Sequence, residues 1–485
     1  MLAFVIADDL TGAMDTGVAF AQCGLRTAVC TGCDIPDDIW KTENETKVPF
    51  SPDVLCVNAG SRHLPPAQAY EIVFRLAKSA SRQNIPCIYK KTDSALRGNV
   101  GAELAAMKDA LGMEVLPFVP AYPALGRTVK GGVLYIDSIP AALTTLGRDP
   151  FNPLPSSSVI EILKATEPDI TAFSRSAAAS ENTPVSHNTA LSENTAVSEN
   201  TAASENTPVS ENMRACKGIQ VYDSVTDDDL SRAASLLSDA ALRSAGCGGF
   251  AKVLAGKLRT ALPSDLQRTA DELSDEFVTD EMRAMESGRS DGHGFLVVCG
   301  SLHETSLLQV RTAVAEGVPG HILPQEISSG KSQLPQTDAP AKSQEFMPSI
   351  ASSATLVRDL AGELDHPGIS ILCTSDYTAA SEIPGSHASP EMSAFCIASC
   401  LGQIVRELAT AGRIATLCVF GGDTLSAIMQ SLEVSMIDIE RELYPGIVRG
   451  QIRFRGQRIC LISKAGSFGD PTLIRRLRET PEKRD

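Results

Sequence analysis

The sequence predicts an α/β protein made of two α/β domains with largely parallel sheets and a ligand cleft between them. Three observations indicate this fold. Short apolar runs alternate with segments of helical periodicity, which is the pattern of successive β-α-β units. Several of these runs end in Gly, Ser, Thr or Asp directly before a helical segment, and open α/β sheets bind ligands at that edge. Finally, 485 residues exceed what one hydrophobic core organises.

The composition argues against several classes of function. A formal net charge of −16 disfavours non-specific binding to nucleic acids or anionic membranes. No apolar stretch has the length of a membrane-spanning helix, and the amino terminus lacks the basic region of a signal peptide. The 13 cysteines are scattered, many inside apolar runs, so a reducing cytoplasm is predicted. The oligomeric state stays open, and a homo-oligomer is compatible with the sequence.

The amino-terminal stretch joins a buried strand to two adjacent carboxylates. Residues 2–7 form an apolar run that predicts a strand, and Asp8 and Asp9 follow it directly. Thr11 is the predicted N-cap of the next helix. Two like charges in one place are unfavourable unless a cation, an arginine or substrate hydroxyls lie between them, which favours a functional pair. The structural alternative is one acid at the helix start beside one solvated acid.

The densest polar cluster lies between a predicted strand at 87–90 and a predicted helix at 100–111. It contains Lys91, Asp93, Arg97 and Asn99. Arg97 can bind a carboxylate, while Asp93 and Asn99 can bind hydroxyls. The alternative is an ordinary polar loop with helix caps.

Two further sites can hold an anion. Ser61 and Arg62 follow the strand predicted at 54–57, and Arg127 follows a glycine in a turn. A serine hydroxyl beside a guanidinium is a reasonable carboxylate or phosphate contact. Exposed loop arginines are the alternative at both positions.

Three glycine-containing turns follow predicted strands in the second half of the chain. They are Gly300-Ser301, the turn of Gly421, Gly422, Asp423 and Thr424, and the turn that begins with Lys464 and contains Gly466. Glycines let the backbone approach a phosphate, and amides at a helix start favour an anion. Thr424 or Asp423 acting only as a helix cap is the alternative.

Three segments are predicted to lie outside the packed domains. A Ser-Glu-Asn-Thr motif recurs every six residues within 176–213 and lacks the apolar residues that a core requires, so it reads as a disordered insertion. Residues 256–292 are polar and charged, and 328–350 form a second loose insertion. The predicted domains are therefore 1–255 and 293–485.

Gly246, Gly248 and Ala251 satisfy one form of the dinucleotide-binding fingerprint. The segment before them, 227–245, is predicted to be helical rather than a strand, so the context differs from that fingerprint. Close backbone packing is the preferred reading. An NAD-dependent hydroxy-acid dehydrogenase is the functional hypothesis that rests on this fingerprint. A non-catalytic sugar-acid-binding protein is a further alternative to the function considered next.

Taken together, these motifs resemble the four-carbon acid sugar kinase family, which phosphorylates threonate, erythronate or 3-oxotetronate with ATP. The similar pieces run in order across nearly the whole chain, at 8–13, 61–62, 91–99, 120–127, 300–301, 421–424 and 464–469. The resemblance implies that the amino-terminal domain binds the acid sugar and the carboxyl-terminal domain binds ATP. It identifies Ser301, Gly421 to Thr424 and Gly466 as nucleotide contacts.

Phosphoryl transfer depends on positioning and charge neutralisation, with Mg²⁺ bridging the phosphates. We expect Arg62 and Arg97 to bind the substrate carboxylate. Asp8, Asp9 and Asp93 would orient hydroxyls, one of them accepting the proton, and Lys91 or Lys464 would stabilise the transferring phosphate. The ligands of Mg²⁺ are not identified by the sequence. The chain departs from the family pattern in having Ala95 for Thr, His303 for Ser and Ala465-Gly466-Ser467 for Pro-Gly-Gly.

Overall fold

The computed structural model describes residues 1–35, 39, 52–149, 152–176, 217–238, 242–262, 294–301, 303–323, 350–365, 368–374, 390–466 and 468–479. The predicted insertions at 176–213 and 328–350 and Ser467 lie wholly or almost wholly outside these ranges. Of the segment 256–292, residues 263–292 also lie outside them, whereas 256–261 end a helix rather than belong to a linker. Backbone contacts divide the chain into two compact units. The first unit comprises Met1–Gly60 and Ala255–Asp485, and the second comprises Ser61–Leu254.

The first unit begins with alternating strands and a helix. These elements are β1 (Ala3–Ala7), α1 (Leu10–Ala21), β2 (Thr27–Cys30) and β3 (Val54–Asn58). Both β1 and β2 pair with β3 in parallel. All five residues of β1 are buried, which agrees with the apolar run predicted for this strand.

The second unit has a parallel sheet and a small antiparallel one. Its elements are α2 (Pro66–Arg82), β4 (Cys87–Lys91), α3 (Val100–Ala110), β5 (Val115–Val119), β6 (Arg127–Lys130), β7 (Val133–Ile136), β8 (Ile139–Pro140), α4 (Val159–Thr166), β9 (Ala172–Ser176), β10 (Gly218–Asp223), α5 (Asp227–Leu237), β11 (Arg243–Gly246) and α6 (Gly248–Ala261), the last running into the first unit. The order β4-β11-β5-β10-β9 is parallel throughout. Strands β6, β7 and β8 form the antiparallel sheet.

The remaining elements return to the first unit. They are β12 (Gly294–Cys299), α7 (Glu304–Ala315), β13 (Gly320–Ile322), α8 (Ile350–Glu363), β14 (Ile369–Cys373), α9 (Pro390–Thr410), β15 (Ile414–Phe420), α10 (Gly422–Leu432), β16 (Met436–Tyr444), β17 (Ile447–Phe454), β18 (Gln457–Lys464) and α11 (Leu473–Glu479). Strands β13-β14-β12-β15-β18 are parallel. Strands β18-β17-β16-β2 continue this sheet in antiparallel fashion.

A buried apolar cluster holds the strands of the first unit against α7 and α11. It includes Val297, Ile371, Phe420 and Ile462 from the strands and Leu473 from α11. Burial of apolar surface on this scale is the main favourable term in folding. No helix in the described part of the chain combines the length and apolar character needed to cross a bilayer.

The α/β class with a largely parallel sheet is confirmed, whereas the predicted helix at 227–245 and the predicted N-cap Thr11 are wrong. The predicted helix at 227–245 ends at Leu237, and β11 follows it. The fingerprint glycines therefore do lie between a strand and a helix. Asp9 rather than Thr11 caps α1, because its carboxylate accepts from the Gly12 amide at 2.8 Å. The antiparallel pair β16 and β17 was not predicted.

Candidate functional site

Three turns of the first unit leave the carboxyl ends of adjacent parallel strands. Cys299 at the end of β12 is paired with Phe420 of β15, which is paired with Lys464 of β18. The turns that follow these residues therefore lie side by side. This is the edge at which open α/β sheets bind ligands.

The three turns contact one another closely at their glycines. A Cβ on Gly300 would collide with the side chain of Thr424. A Cβ on Gly421 would lie 3.6 Å from Ser301, and one on Gly466 would lie 2.8 Å from the Ser301 hydroxyl. Gly421 also has a φ of 110°, which other residues rarely adopt. We call these turns, 300–301, 421–424 and 464–466, the glycine cradle.

Two helices of the first unit start beside the glycine cradle. Helix α10 begins at Gly422, and within the described residues no side chain caps its amides. Helix α7 starts after His303, whose Nδ1 accepts from the Thr305 amide at 3.2 Å. The His303 amide in turn donates to the Ser301 hydroxyl at 3.2 Å. Amides at a helix start favour phosphate groups, so the uncapped amides of α10 are able to donate to a phosphate.

Lys464 lies inside the glycine cradle rather than on its surface. Only 1% of the residue is exposed. Its Nζ donates to the carbonyls of Ala465, Gly466 and Phe468 at 3.2, 3.0 and 3.1 Å. It also donates to the Ser306 hydroxyl at 3.0 Å and lies 4.6 Å from the centre of the Phe420 ring. Burial lowers the pKa of Lys464 to about 8.

The amino-terminal carboxylates belong to this same unit. A Cβ on Gly422 would collide with the Thr11 hydroxyl and lie 3.7 Å from Asp9 Oδ2. Asp8 is buried, with 2% exposed. The turn after β1 and the turn after β15 are therefore neighbours, so Asp9 lies beside the glycine cradle. Within the described ranges, no group of three or more His, Cys, Asp or Glu side chains is arranged to hold a metal ion.

In the second unit, Asp93 joins the two arginines predicted to bind the substrate. Its carboxylate accepts from Nε and Nη2 of Arg97, both at 2.9 Å, and lies 3.5 Å from Arg62 Nη2. Burial alone would raise the pKa of Asp93, but Arg97 and Arg62 outweigh it and hold that pKa below its usual range. Asp93 thus orients both guanidinium groups and is a weak base.

Arg97 also contacts Asp149, whose Oδ2 lies 2.9 Å from Nη1 of the arginine. Its guanidinium therefore bridges two carboxylates. The negative charge of Asp93 raises the pKa of Arg97, so this group keeps its positive charge. Asp149 was not identified from the sequence, because nothing near it in the chain indicates a partner.

Asn99 and Ser61 direct their side chains into the protein. Asn99 Nδ2 donates to the carbonyls of Ser61 and Leu64 at 2.8 and 2.7 Å. The Ser61 hydroxyl donates to Glu103, which forms an ion pair with Lys90 at 2.9 Å. All of these side chains except that of Leu64 are buried. They fix the turn that carries Arg62.

Lys91 and Arg127 complete the predicted set in the second unit. Lys91 is 4% exposed, and its charge helps to lower the pKa of Asp93. Arg127 starts β6 and donates through Nη1 to the carbonyl of Leu125. Its Nε is buried and has no hydrogen-bond partner among the described residues.

Sequence reasoning missed Lys90 and Glu103 as well as Asp149. Consecutive lysines in a strand that is otherwise apolar were the available signal, because a buried ammonium needs a carboxylate partner. Glu103, in the first turn of α3, provides it.

The glycines of the dinucleotide-like segment have a packing role. A Cβ on Gly246 would collide with the carbonyl of Val119, and one on Gly249 would lie 2.8 Å from the carbonyl of Ala121. This agrees with the preferred reading of that segment, close backbone packing.

The chain matches two family models. One describes a sugar-binding N-terminal domain and covers residues 3–254. The other describes a nucleotide-binding C-terminal domain and covers residues 296–474.

Curated relatives and a solved structure are similar to this chain. The D-threonate kinase of Salmonella typhimurium is 27% identical over 476 residues, which cover 98% of this chain and 97% of that relative. The D-erythronate kinase of Heliobacterium modesticaldum is 38% identical over 162 residues, which cover 33% of this chain and 35% of that relative. A solved structure from Salmonella typhimurium LT2 shares 17% identity and the same fold, with a TM-score of 0.66 over 99% of both chains.

Proposed function

The chain belongs to the family defined by a sugar-binding N-terminal domain and a nucleotide-binding C-terminal domain, and on that premise we propose that it is an ATP-dependent kinase of four-carbon sugar acids. The observation that carries this function is the glycine cradle, in which three glycine-containing turns lie side by side at the carboxyl ends of parallel strands. ATP would place its phosphates against the amides of these turns and of α10. A side chain at Gly300 or Gly466 would press on Thr424 or on the Ser301 hydroxyl, and the φ of Gly421 disfavours any other residue there.

Mg²⁺ would supply positive charge that neutralises the phosphates of ATP. Asp9 and Asp423 are the carboxylates that we propose as its ligands. Asp423 follows Gly422 in α10, and Asp9 Oδ2 lies 3.7 Å from the Cβ position of that glycine. Mg²⁺ in kinases commonly takes one or two protein carboxylates together with phosphate oxygens.

The sugar acid would bind through Arg62 and Arg97. Asp93 holds both guanidinium groups in place, and a positioned pair of guanidinium groups suits a carboxylate. Because these arginines stabilise the charged form of Asp93 and Asp9 is proposed as a Mg²⁺ ligand, we assign the acceptance of the substrate proton to Asp8. Ser61 and Asn99 support the Arg62 turn, and Lys91 adds positive charge to the same loop.

The domain division at 255, the cleft between the domains and the cytoplasmic location stay predictions. The family model of the sugar-binding domain ends at residue 254, and that of the nucleotide-binding domain begins at residue 296. The first 60 residues nonetheless group with the carboxyl-terminal segment, because β2 pairs with β16. We propose that residues 1–60 serve the nucleotide as well as the sugar acid.

The test is ADP release with a panel of four-carbon acids that includes D-threonate, D-erythronate and 3-oxotetronate. We expect turnover with at least one of them. Absence of turnover with every acid, by protein shown to be folded, would count against the kinase. Thermal stabilisation by NAD and not by ATP would instead support the dehydrogenase, and tight acid binding without ATP consumption would support a binding protein.

A further inference from the structure

The turn after β18 is organised around the ammonium group of Lys464. Three carbonyls, those of Ala465, Gly466 and Phe468, accept from Nζ at distances between 3.0 and 3.2 Å. The Ser306 hydroxyl is a fourth acceptor at 3.0 Å. An ammonium group has three N–H donors, so these acceptors engage all of them.

Carbonyl direction determines amide direction in this turn. In a trans peptide group the C=O and the following N–H point in opposite directions. Since the carbonyls of Ala465 and Phe468 point at Nζ, the amides of Gly466 and Gly469 point away from it. We propose that Lys464 is a positioning residue, which holds the carbonyls of the turn from inside and thereby directs the amides of Gly466 and Gly469 towards the nucleotide phosphates. This inference rests on the proposed function for the identity of the anion.

Two side chains of helix α7 also donate to the carbonyls of Gly466 and Phe468. The Ser306 hydroxyl donates to the carbonyl of Gly466 at 2.8 Å. Gln309 Nε2 donates to the carbonyls of Phe468 and Asp470, both at 3.0 Å. Ser306 and Gln309 are fully buried. Lys464 of β18 and Ser306 and Gln309 of α7 therefore all keep these carbonyls pointing into the turn.

The surroundings of Lys464 oppose direct contact with a phosphate. Its Nζ lies 4.6 Å from the centre of the Phe420 ring, so an aromatic face adjoins the ammonium. Reaching a phosphate would require Lys464 to release the carbonyls that define the turn. The carbonyl of Lys464 itself accepts from the Gly421 amide at 3.0 Å, so the position of this residue is also coupled to the turn after β15.

The test is hydrogen exchange of the full chain without nucleotide, comparing the wild type with Lys464→Met. Methionine keeps much of the length of the lysine but has no donor. We expect amides within 465–470 to exchange at least about tenfold faster and the KM for ATP to rise. Lys217→Met is the matched control, because Lys217 is exposed and pairs only with Glu114 among the contacts of its ammonium that the structure describes.

Unchanged exchange at 465–470 together with weaker ATP binding would overturn the proposal, because it would indicate direct contact of Lys464 with phosphate. Lys464→Arg sharpens this distinction. An arginine that touches phosphate would retain much of the affinity for ATP, whereas a guanidinium is too large for the position of the ammonium among the carbonyls, so we expect loss.

A second variant, Gln309→Leu, covers the case in which Lys464→Met does not fold. It removes two of the carbonyl contacts and keeps the lysine. We expect faster exchange in the same turn, and no change there would count against the proposal. Exchange is measured without nucleotide, so its outcome is separate from that of the kinase assay.

Discussion

Gly422 lies so close to Thr11 that a Cβ on the glycine would collide with the threonine hydroxyl. The two residues are far apart in sequence and lie in the first turns of two different helices of the first unit. Their contact brings the carboxylate of Asp9 to the start of α10. Any side chain at position 422 must therefore displace either the turn after β1 or the turn after β15.

Gly422→Ala should weaken nucleotide binding. Overpacking of a rigid contact costs about 1–3 kcal/mol, so we expect the KM for ATP to rise roughly tenfold or more, with a smaller effect on the KM for the acid. Steady-state kinetics with each substrate varied in turn measures both.

Gly362→Ala is the matched control for that substitution. Gly362 is in α8 and has no atom within 4 Å of its Cβ position. Thr11→Ala combined with Gly422→Ala should recover part of the affinity for ATP, because it removes the hydroxyl that the new Cβ meets. Equal kinetics for Gly422→Ala and the wild type would show that the contact has no role.

Arg97→Lys should impair binding of the sugar acid selectively. Lysine keeps the charge but cannot make the paired contacts that Asp93 receives from Nε and Nη2. Charged hydrogen bonds contribute about 1.5–3 kcal/mol each, so a rise of about 10–100-fold in the KM for the acid is expected. The KM for ATP should stay within a factor of about two.

Arg148→Lys provides the comparison, because Arg148 is exposed. If Arg97→Lys raised the KM for ATP as much as that for the acid, the assignment of Arg97 to the substrate carboxylate would be wrong.

Glu103→Gln should destabilise the protein. It leaves Lys90 buried without its ionic partner, which typically costs about 3–5 kcal/mol. Replacing both residues, as Lys90→Met with Glu103→Gln, should be less destabilising than the sum of the two single changes. Urea unfolding followed by circular dichroism measures the free energy of unfolding for each variant.

The exposed carboxylate of Glu114, paired with Lys217, supplies the control for this series. Glu114→Gln should change stability little, because exposed ion pairs are screened by solvent. Purely additive effects at Lys90 and Glu103 would mean that the two groups do not depend on each other.

ATP affinity should fall as the pH rises through about 8, the value to which burial lowers the pKa of Lys464. Bound phosphates favour the ammonium form, so the pKa in the complex lies above that in the free protein. The contribution of the Lys464 ammonium to ATP affinity is therefore complete below pH 8 and is lost above it. We expect an affinity about tenfold weaker at pH 9 than at pH 7.

Calorimetry in buffers of different ionisation enthalpy should detect proton uptake on ATP binding near pH 8. Three other titratable groups interact with Lys464 and could also take up a proton: the thiols of Cys299 and Cys418 and the imidazole of His303. Lys464→Met should abolish the uptake, and its persistence in that variant would assign the proton to another group.

Local signals predicted much of the fold and of the glycine cradle. The strands ending at Cys299, Phe420 and Lys464 were visible as apolar runs followed by glycine turns. Strands β16 and β17 were not, because charged residues interrupt their apolar pattern. Glu440 and Arg449 form an ion pair across these strands at 2.9 Å. This pairing offsets the cost of burying the two charges, but it exists only in the folded chain.

Contacts between distant parts of the sequence account for the rest. Nothing near Gly422 indicates that Thr11 lies against it, and nothing near Arg97 indicates Asp149. The roles of Ser61 and Asn99 were likewise assigned from residue type. Their hydrogen bonds to Glu103 and to the carbonyls of Ser61 and Leu64 depend on how α3 packs.

The pairing of β2 with β16 joins Thr27–Cys30 to residues near position 437. During translation, β2 leaves the ribosome long before its partner strand has been made. The uninterrupted stretch Ser61–Leu254 can acquire its structure first. Until synthesis is nearly complete, β2 therefore lacks its partner β16, and an unpaired strand edge favours premature aggregation.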